Sequence, residues 1–129
     1  MKPLALVIED DADQSFIFTK SLEMAGYQIE AILDGSVAQK RLSEAIPALI
    51  VLDIHLPGVN GVDLLAQIHA DRRLDGVTII LLTADGRLAE KLHDRATMTI
   101  IKPVGFAELS TLAGRFRPPT QPVPSSGLA

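Results

Sequence analysis

The sequence predicts an open, doubly wound α/β domain with a parallel sheet of five strands and about five helices. Three observations carry this expectation. Short, continuous apolar runs of strand length recur along the chain, as in strands covered on both faces. Segments of helical periodicity separate them, so strand and helix alternate and right-handed crossovers follow. Chain-punctuating residues fall at the joins, namely Gly26, Pro47 and the pair Asn60-Gly61.

The first run covers residues 4–8 and ends in Glu9-Asp10-Asp11. A helix over 15–25 follows, with Phe16, Phe18, Leu22 and Met24 as its apolar positions. Asp11 or Asp13 caps it, and Gly26 supplies the left-handed residue at its C-terminus. In the second run, 27–33, Tyr27, Ile29 and Ala31 alternate with Gln28 and Glu30, which suits an edge strand with one face partly wet. A helix over 37–46 stops at Pro47. The third strand, 48–52, runs into Asp53, and the Asn60-Gly61 turn opens a helix over 62–68. The fourth strand, 77–82, runs into Thr83. After it, residues 86–95 are charged, with Leu88, Ala89 and Leu92 as the apolar candidates, so a brief or irregular helix is expected. The fifth strand, 98–101, leads into Lys102-Pro103, and a last helix spans 106–116. Residues 1–116 form one domain on this reading. Residues 117–129 are Pro-rich with little apolar content, and read as a disordered or linker-like tail with no effector domain after it.

The bulk properties narrow the function. At 129 residues, 47% hydrophobic and 22% charged, the chain suits one globular domain, and the scarcity of aromatics implies an aliphatic core. No stretch approaches the roughly 20 apolar residues that span a bilayer, and the first apolar run meets acidic residues rather than a cleavage site, so a cytoplasmic protein without membrane partners is expected. The absence of cysteine excludes disulfide and thiolate chemistry. A formal charge of −4, with no basic cluster longer than Arg72-Arg73, predicts no direct nucleic-acid binding. No glycine-rich phosphate loop and no internal repeat is present.

In an open α/β sheet, ligands bind beyond the carboxyl ends of the strands, where the strand order reverses. The residues there are Glu9, Asp10, Asp53, Thr83 and Lys102. Carboxylates so gathered need a cation or a proton between them, because two unit charges about 4 Å apart repel by roughly 4 kcal/mol at an effective dielectric near 20. Oxygen donors without Cys or His favour Mg²⁺, which takes one or two carboxylates plus substrate phosphate. Lys102 suits an incoming phosphoryl oxygen as a point charge, and Thr83 can donate to another. Asp53, ending the central apolar run before Ile-His-Leu-Pro-Gly, is the natural nucleophile, and its attack on phosphorus gives an acyl phosphate. Singly, each residue has an ordinary role as cap, strand residue or surface charge; their joint placement points to a site. His55, His69 and His93 have no metal-ligand spacing, so their side chains read as nonligands. His55 and Asp85, two residues after Asp53 and Thr83, are placed to influence water access to an acyl phosphate.

These residues also carry a family resemblance. Leu-Val-Ile-Glu-Asp-Asp, Leu-Ile-Val-Leu-Asp-Ile-His-Leu-Pro-Gly-Val-Asn-Gly, Leu-Leu-Thr-Ala and Ile-Ile-Lys-Pro, in that order, resemble bacterial response-regulator receiver domains over residues 4–116. The resemblance implies a flavodoxin-like sheet of order 2-1-3-4-5, with Glu9 and Asp10 as the acidic pair, Asp53 as phosphoacceptor and the His55 backbone carbonyl as a metal ligand. It also implies Thr83 and Lys102 as phosphate contacts, a cis bond before Pro103, and Mg²⁺ as cofactor. A histidine kinase or phosphotransfer protein would donate to Asp53, and the changed surface would bind a downstream protein; the chain would be no enzyme beyond its own phosphorylation and dephosphorylation. One departure concerns the switch: Thr99 stands where the family has Tyr or Phe three residues before the lysine, and the segment from Thr83 to Lys102 is shorter than usual. Coupling would then run through the backbone after Thr83. Two rivals are a pseudo-receiver that binds constitutively and a haloacid-dehalogenase-like phosphatase. The latter expects Asp-x-Asp at the nucleophile and an acidic pair after the lysine, the reverse of the order here.

Overall fold

In the computed structural model, residues 2–119 are described. Five strands, β1 (Leu4–Ile8), β2 (Gln28–Ile32), β3 (Leu49–Asp53), β4 (Thr78–Thr83) and β5 (Met98–Ile101), alternate with α1 (Ala12–Met24), α2 (Gly35–Glu44), α3 (Gly61–Ala70), α4 (Gly86–Leu92) and α5 (Phe106–Phe116). All pairings are parallel, in the order β2-β1-β3-β4-β5. No helix among the described residues is long and apolar enough to cross a membrane. The tail expected at 117–129 lies outside the described residues from 120 onward, and 117–119 have no regular secondary structure.

The continuous apolar runs divide by parity between two layers. Leu6, Ile8, Ile50, Leu52, Ile79 and Leu81 face α2 and α3, against Ala38, Leu42, Leu64, Leu65 and Ile68. Ala5, Val7, Leu49, Val51, Ile80 and Leu82 face the other way, against Phe18 and Leu22 of α1 and Leu109 and Ala113 of α5. Successive side chains of a strand point to opposite faces, so a strand buried on both needs apolar residues at every position.

The joins follow local chemistry. Asp11 caps α1 by accepting from Gln14 N–H at 2.9 Å. Its other end closes with Tyr27 N–H donating to the Leu22 carbonyl at 3.1 Å and Gly26 N–H to that of Glu23 at 3.0 Å. Gly26 has φ +98° there, the left-handed residue such a motif requires. Asp34 caps α2, which begins two residues before the expected start; the helix ends at Glu44, with Ala45 already extended, and Pro47 bars its resumption. As expected, α4 is brief, and a 3-10 turn, His93–Arg95, follows it.

Three expectations about side chains need correction. Phe16 and Met24 are 64% and 72% exposed; the inner stripe of α1 is instead Ser15, Phe18, Ser21 and Leu22, and Ser21 satisfies its hydroxyl by donating to the Phe106 carbonyl at 2.7 Å. Ala31 is exposed. β2 is an edge strand whose Ile29, with Tyr27 just before it, joins the α1/α5 layer while Ile32 joins the opposite one.

Two glycines fix the loop between β3 and α3. A Cβ on Gly61 would collide with the backbone of Asp53 and Ile54, and one on Gly35 with the Val59 carbonyl. Gly61→Ala is expected to lower stability by about 1–3 kcal/mol through overpacking, read as a shifted urea midpoint at unchanged slope; an unshifted midpoint would show that the loop relaxes freely.

Candidate functional site

The sheet register sets where the polar residues meet. Ile8 of β1 lies beside Leu52 of β3, and Asp53 beside Leu82 of β4; Thr83 lies beside Ile101 of β5. Glu9, Asp53, Thr83 and Lys102 therefore emerge along one edge. The chain leaves β1 toward β2 on one side and returns to β3 on the other, so the crevice between β1 and β3 is the point where strand order reverses.

Within it, Lys102 Nζ donates to Glu9 Oε1 at 2.9 Å and to Asp53 Oδ2 at 3.0 Å. Glu9 and Asp53 are buried, with side chains 2% and 5% exposed, and Lys102 is 16% exposed. The cation required between the carboxylates is thus in part the chain's own lysine. Asp11 N–H donates to Glu9 Oε2 at 3.2 Å and His55 N–H to Asp53 Oδ1 at 2.9 Å, so each buried carboxylate has a partner on both oxygens. Asp10 is exposed and completes a set in which Glu9, Asp10 and Asp53 offer ligand atoms within 4.8 Å of one another. These three carboxylates could hold a metal ion, and all the donors are hard oxygens.

Burial pushes the Glu9 carboxyl up to about 7, with the Lys102 ammonium pulling it back and the Asp53 carboxylate adding to the rise. Burial alone would lower Lys102, but hydrogen bonds to Glu9 and Asp53 outweigh it and hold the ammonium above the ordinary lysine range.

Thr83 is fully buried. Its hydroxyl accepts from Asp85 N–H at 3.0 Å and lies 3.1 Å from His55 Nε2. The second contact was not legible in the sequence, because it joins a loop residue to the end of β4, 28 residues away. The Asp85 carboxylate is engaged in capping α4, accepting from Arg87 N–H at 3.0 Å and Leu88 N–H at 3.3 Å. Thr99 stands opposite Leu81 rather than Thr83, and its hydroxyl is buried without a hydrogen-bond partner. The Lys102-Pro103 bond is cis. His69 and His93 lie away from this edge, bonded to the Arg95 and Glu90 carbonyls.

Comparison with known proteins adds the following. A family model described as the response regulator receiver domain matches residues 5–113. The phosphate regulon transcriptional regulatory protein PhoB of Rhizobium meliloti is 35% identical over 112 residues, which are 84% of this chain and 49% of that protein. The chain spans about half the length of that relative. The chemotaxis response regulator CheY4 of Vibrio cholerae superposes with a TM-score of 0.80 over 90% of this chain and 99% of that one, at 20% identity, and shares the fold. The receiver domain of the sensor histidine kinase PA1611 of Pseudomonas aeruginosa, described with magnesium coordinated in its active site cleft, superposes with a TM-score of 0.78 at 25% identity, covering 90% of this chain and 98% of that one.

The raised Glu9 pKa has a consequence for stability. The folded protein holds that proton more tightly than the unfolded one, so the contribution is full below about 4.5 and is lost as pH rises through about 7. With a chelator present, stability in urea is expected to fall by about 1–3 kcal/mol across that window, and Glu9→Gln is expected to remove the fall. An equal fall in both proteins would exclude Glu9 as its source.

Proposed function

The chain belongs to the response-regulator receiver family of two-component signalling, and we propose that it accepts a phosphoryl group on Asp53 from a histidine kinase or phosphotransfer protein and reports it to a downstream protein. The observation that carries this reading is the Lys102 ammonium lying between the buried carboxylates of Glu9 and Asp53. It keeps Asp53 in a desolvated site, and a phosphoryl group arriving there meets a fixed positive charge.

Asp53 Oδ attacks phosphorus as the bond from phosphorus to the donor breaks, and the donor leaves with that electron pair. Lys102 and Thr83 contact the phosphoryl oxygens. No dedicated base is required, because positioning and electrostatics supply most phosphoryl-transfer catalysis. An all-oxygen donor set suits Mg²⁺, which Glu9, Asp10 and Asp53, with the His55 backbone carbonyl, would hold. When bound, the ion neutralises charge on the transferring group. His55 and Asp85 border the site and influence how readily water reaches the acyl phosphate. On this reading the chain catalyses only its own phosphorylation and dephosphorylation. A protein donor fits the surface beside the carboxylates: Ile17 and Val104 share with Lys102 a largely apolar cleft of about 340 Å³.

Incubation with acetyl phosphate and Mg²⁺ is expected to add one labile phosphate by intact mass, absent without Mg²⁺ and absent in Asp53→Ala. Lys102→Ala should slow the addition by about 10²-fold, the usual scale for removing one electrostatic contact to the transition state. An adduct that persists in Asp53→Ala would assign the phosphate elsewhere, and no adduct on the wild type would remove the phosphoacceptor reading.

A further inference from the structure

We propose that the His55 imidazole is the resting partner of the Thr83 hydroxyl and competes for it with a phosphoryl group on Asp53, so that phosphorylation reaches the surface through the loop between β3 and α3. The inference rests on the phosphoacceptor reading above and extends it to the coupling element.

A threonine hydroxyl has one proton to donate and two lone pairs. Asp85 N–H occupies a lone pair of Thr83 Oγ1 at 3.0 Å, and His55 Nε2 lies 3.1 Å away. On this proposal His55 rests as the Nδ1–H tautomer, whose bare Nε2 takes that single proton; a phosphoryl oxygen on Asp53 would take the same proton, which cannot serve both. His55 is suited to relay the change because it connects a fully buried hydroxyl to solvent: Thr83 is 0% exposed, and His55 is an exposed residue. His55 lines a cleft of about 450 Å³ with Asp10, Leu56, Asn60 and Leu88, so on this proposal release of its ring alters that surface.

β5 offers no alternative partner. Its residue beside Thr83 is the apolar Ile101, and Thr99 pairs with Leu81. The Thr99 hydroxyl finds no partner of its own.

The test is NMR on protein carrying isotope-labelled histidine, read at the His55 Nε2 resonance at one fixed, mildly alkaline pH, with phosphorylation by acetyl phosphate and Mg²⁺ followed in parallel by intact mass. Thr83→Val should move the Nε2 resonance in the unphosphorylated protein, and phosphorylation of the wild type should move it in the same direction. His55→Ala, which removes the competitor, should raise the phosphorylated fraction at limiting acetyl phosphate about fivefold, the scale of one net hydrogen bond. His55→Gln, whose side-chain carbonyl can accept the same hydroxyl, should bring the fraction back toward wild type. An Nε2 resonance indifferent to both Thr83→Val and phosphorylation overturns the proposal. So does a glutamine variant that behaves as the alanine one. Absence of any phosphate on the wild type is told apart by the mass, and overturns the phosphoacceptor reading and this inference with it.

Discussion

The contact on which the site depends is a single ammonium group between two buried carboxylates. Glu9 and Asp53 sit at the ends of adjacent strands, and neither is accessible enough to solvent to be screened by it. Without Lys102 each would face the other's charge in a medium where such pairs repel by several kcal/mol. With it, the crevice keeps an ionisable cluster at the carboxyl edge of an otherwise aliphatic sheet. The rest of the architecture brings the three groups to one place. The sheet order sets β1 beside β3, the register ends both strands at the same level, and the cover on both faces excludes water from everything beneath.

The same arrangement explains why the polar residues of the site are spread thinly along the sequence. Glu9, Asp53, Thr83 and Lys102 are each the first polar residue after, or the last residue of, an apolar strand, where a side chain can leave a two-sided core and still belong to the sheet. The loops behind them are fixed by space as much as by hydrogen bonds. Gly35 and Gly61 admit no side chain against the loop that follows Asp53. Asn60 caps α3 by accepting from Asp63 N–H at 3.0 Å.

Much of this was legible in the residues. Continuous apolar runs located four of the five strands to within a residue, and the alternation over 27–33 located the second, an edge strand with one face partly wet. Glu9, Asp10, Asp53 and Lys102 could be grouped because strand ends in a parallel sheet share an edge. What escaped was decided by tertiary contact. The third and fourth strands extend through Asp53 and Thr83 because their backbones pair with neighbouring strands, which no local pattern reports. Phe16 and Met24 have the composition of core residues and lie outside it, since the buried stripe of α1 runs through Ser15, Phe18, Ser21 and Leu22. The contact between His55 and Thr83 depends on the path of the loop after β3 past the end of β4, and neither residue type announces it. Asp85 was read only as a polar residue near Thr83, although the expected helix start at 86 already put it at the N-cap position that it occupies.

The Lys102 contacts bridge 93 residues to Glu9 and 49 to Asp53, which gives the site a place in time as well as in space. During synthesis the two acidic strands emerge well before the strand that carries their counter-ion, and long-range closures of this kind are among the later events of folding. Until β5 docks, the carboxylates have no internal cation and no reason to be buried. The assembled crevice is therefore a report that the sheet is complete, and a nascent chain that already exposes Asp53 has not yet acquired the electrostatics that make this residue distinctive.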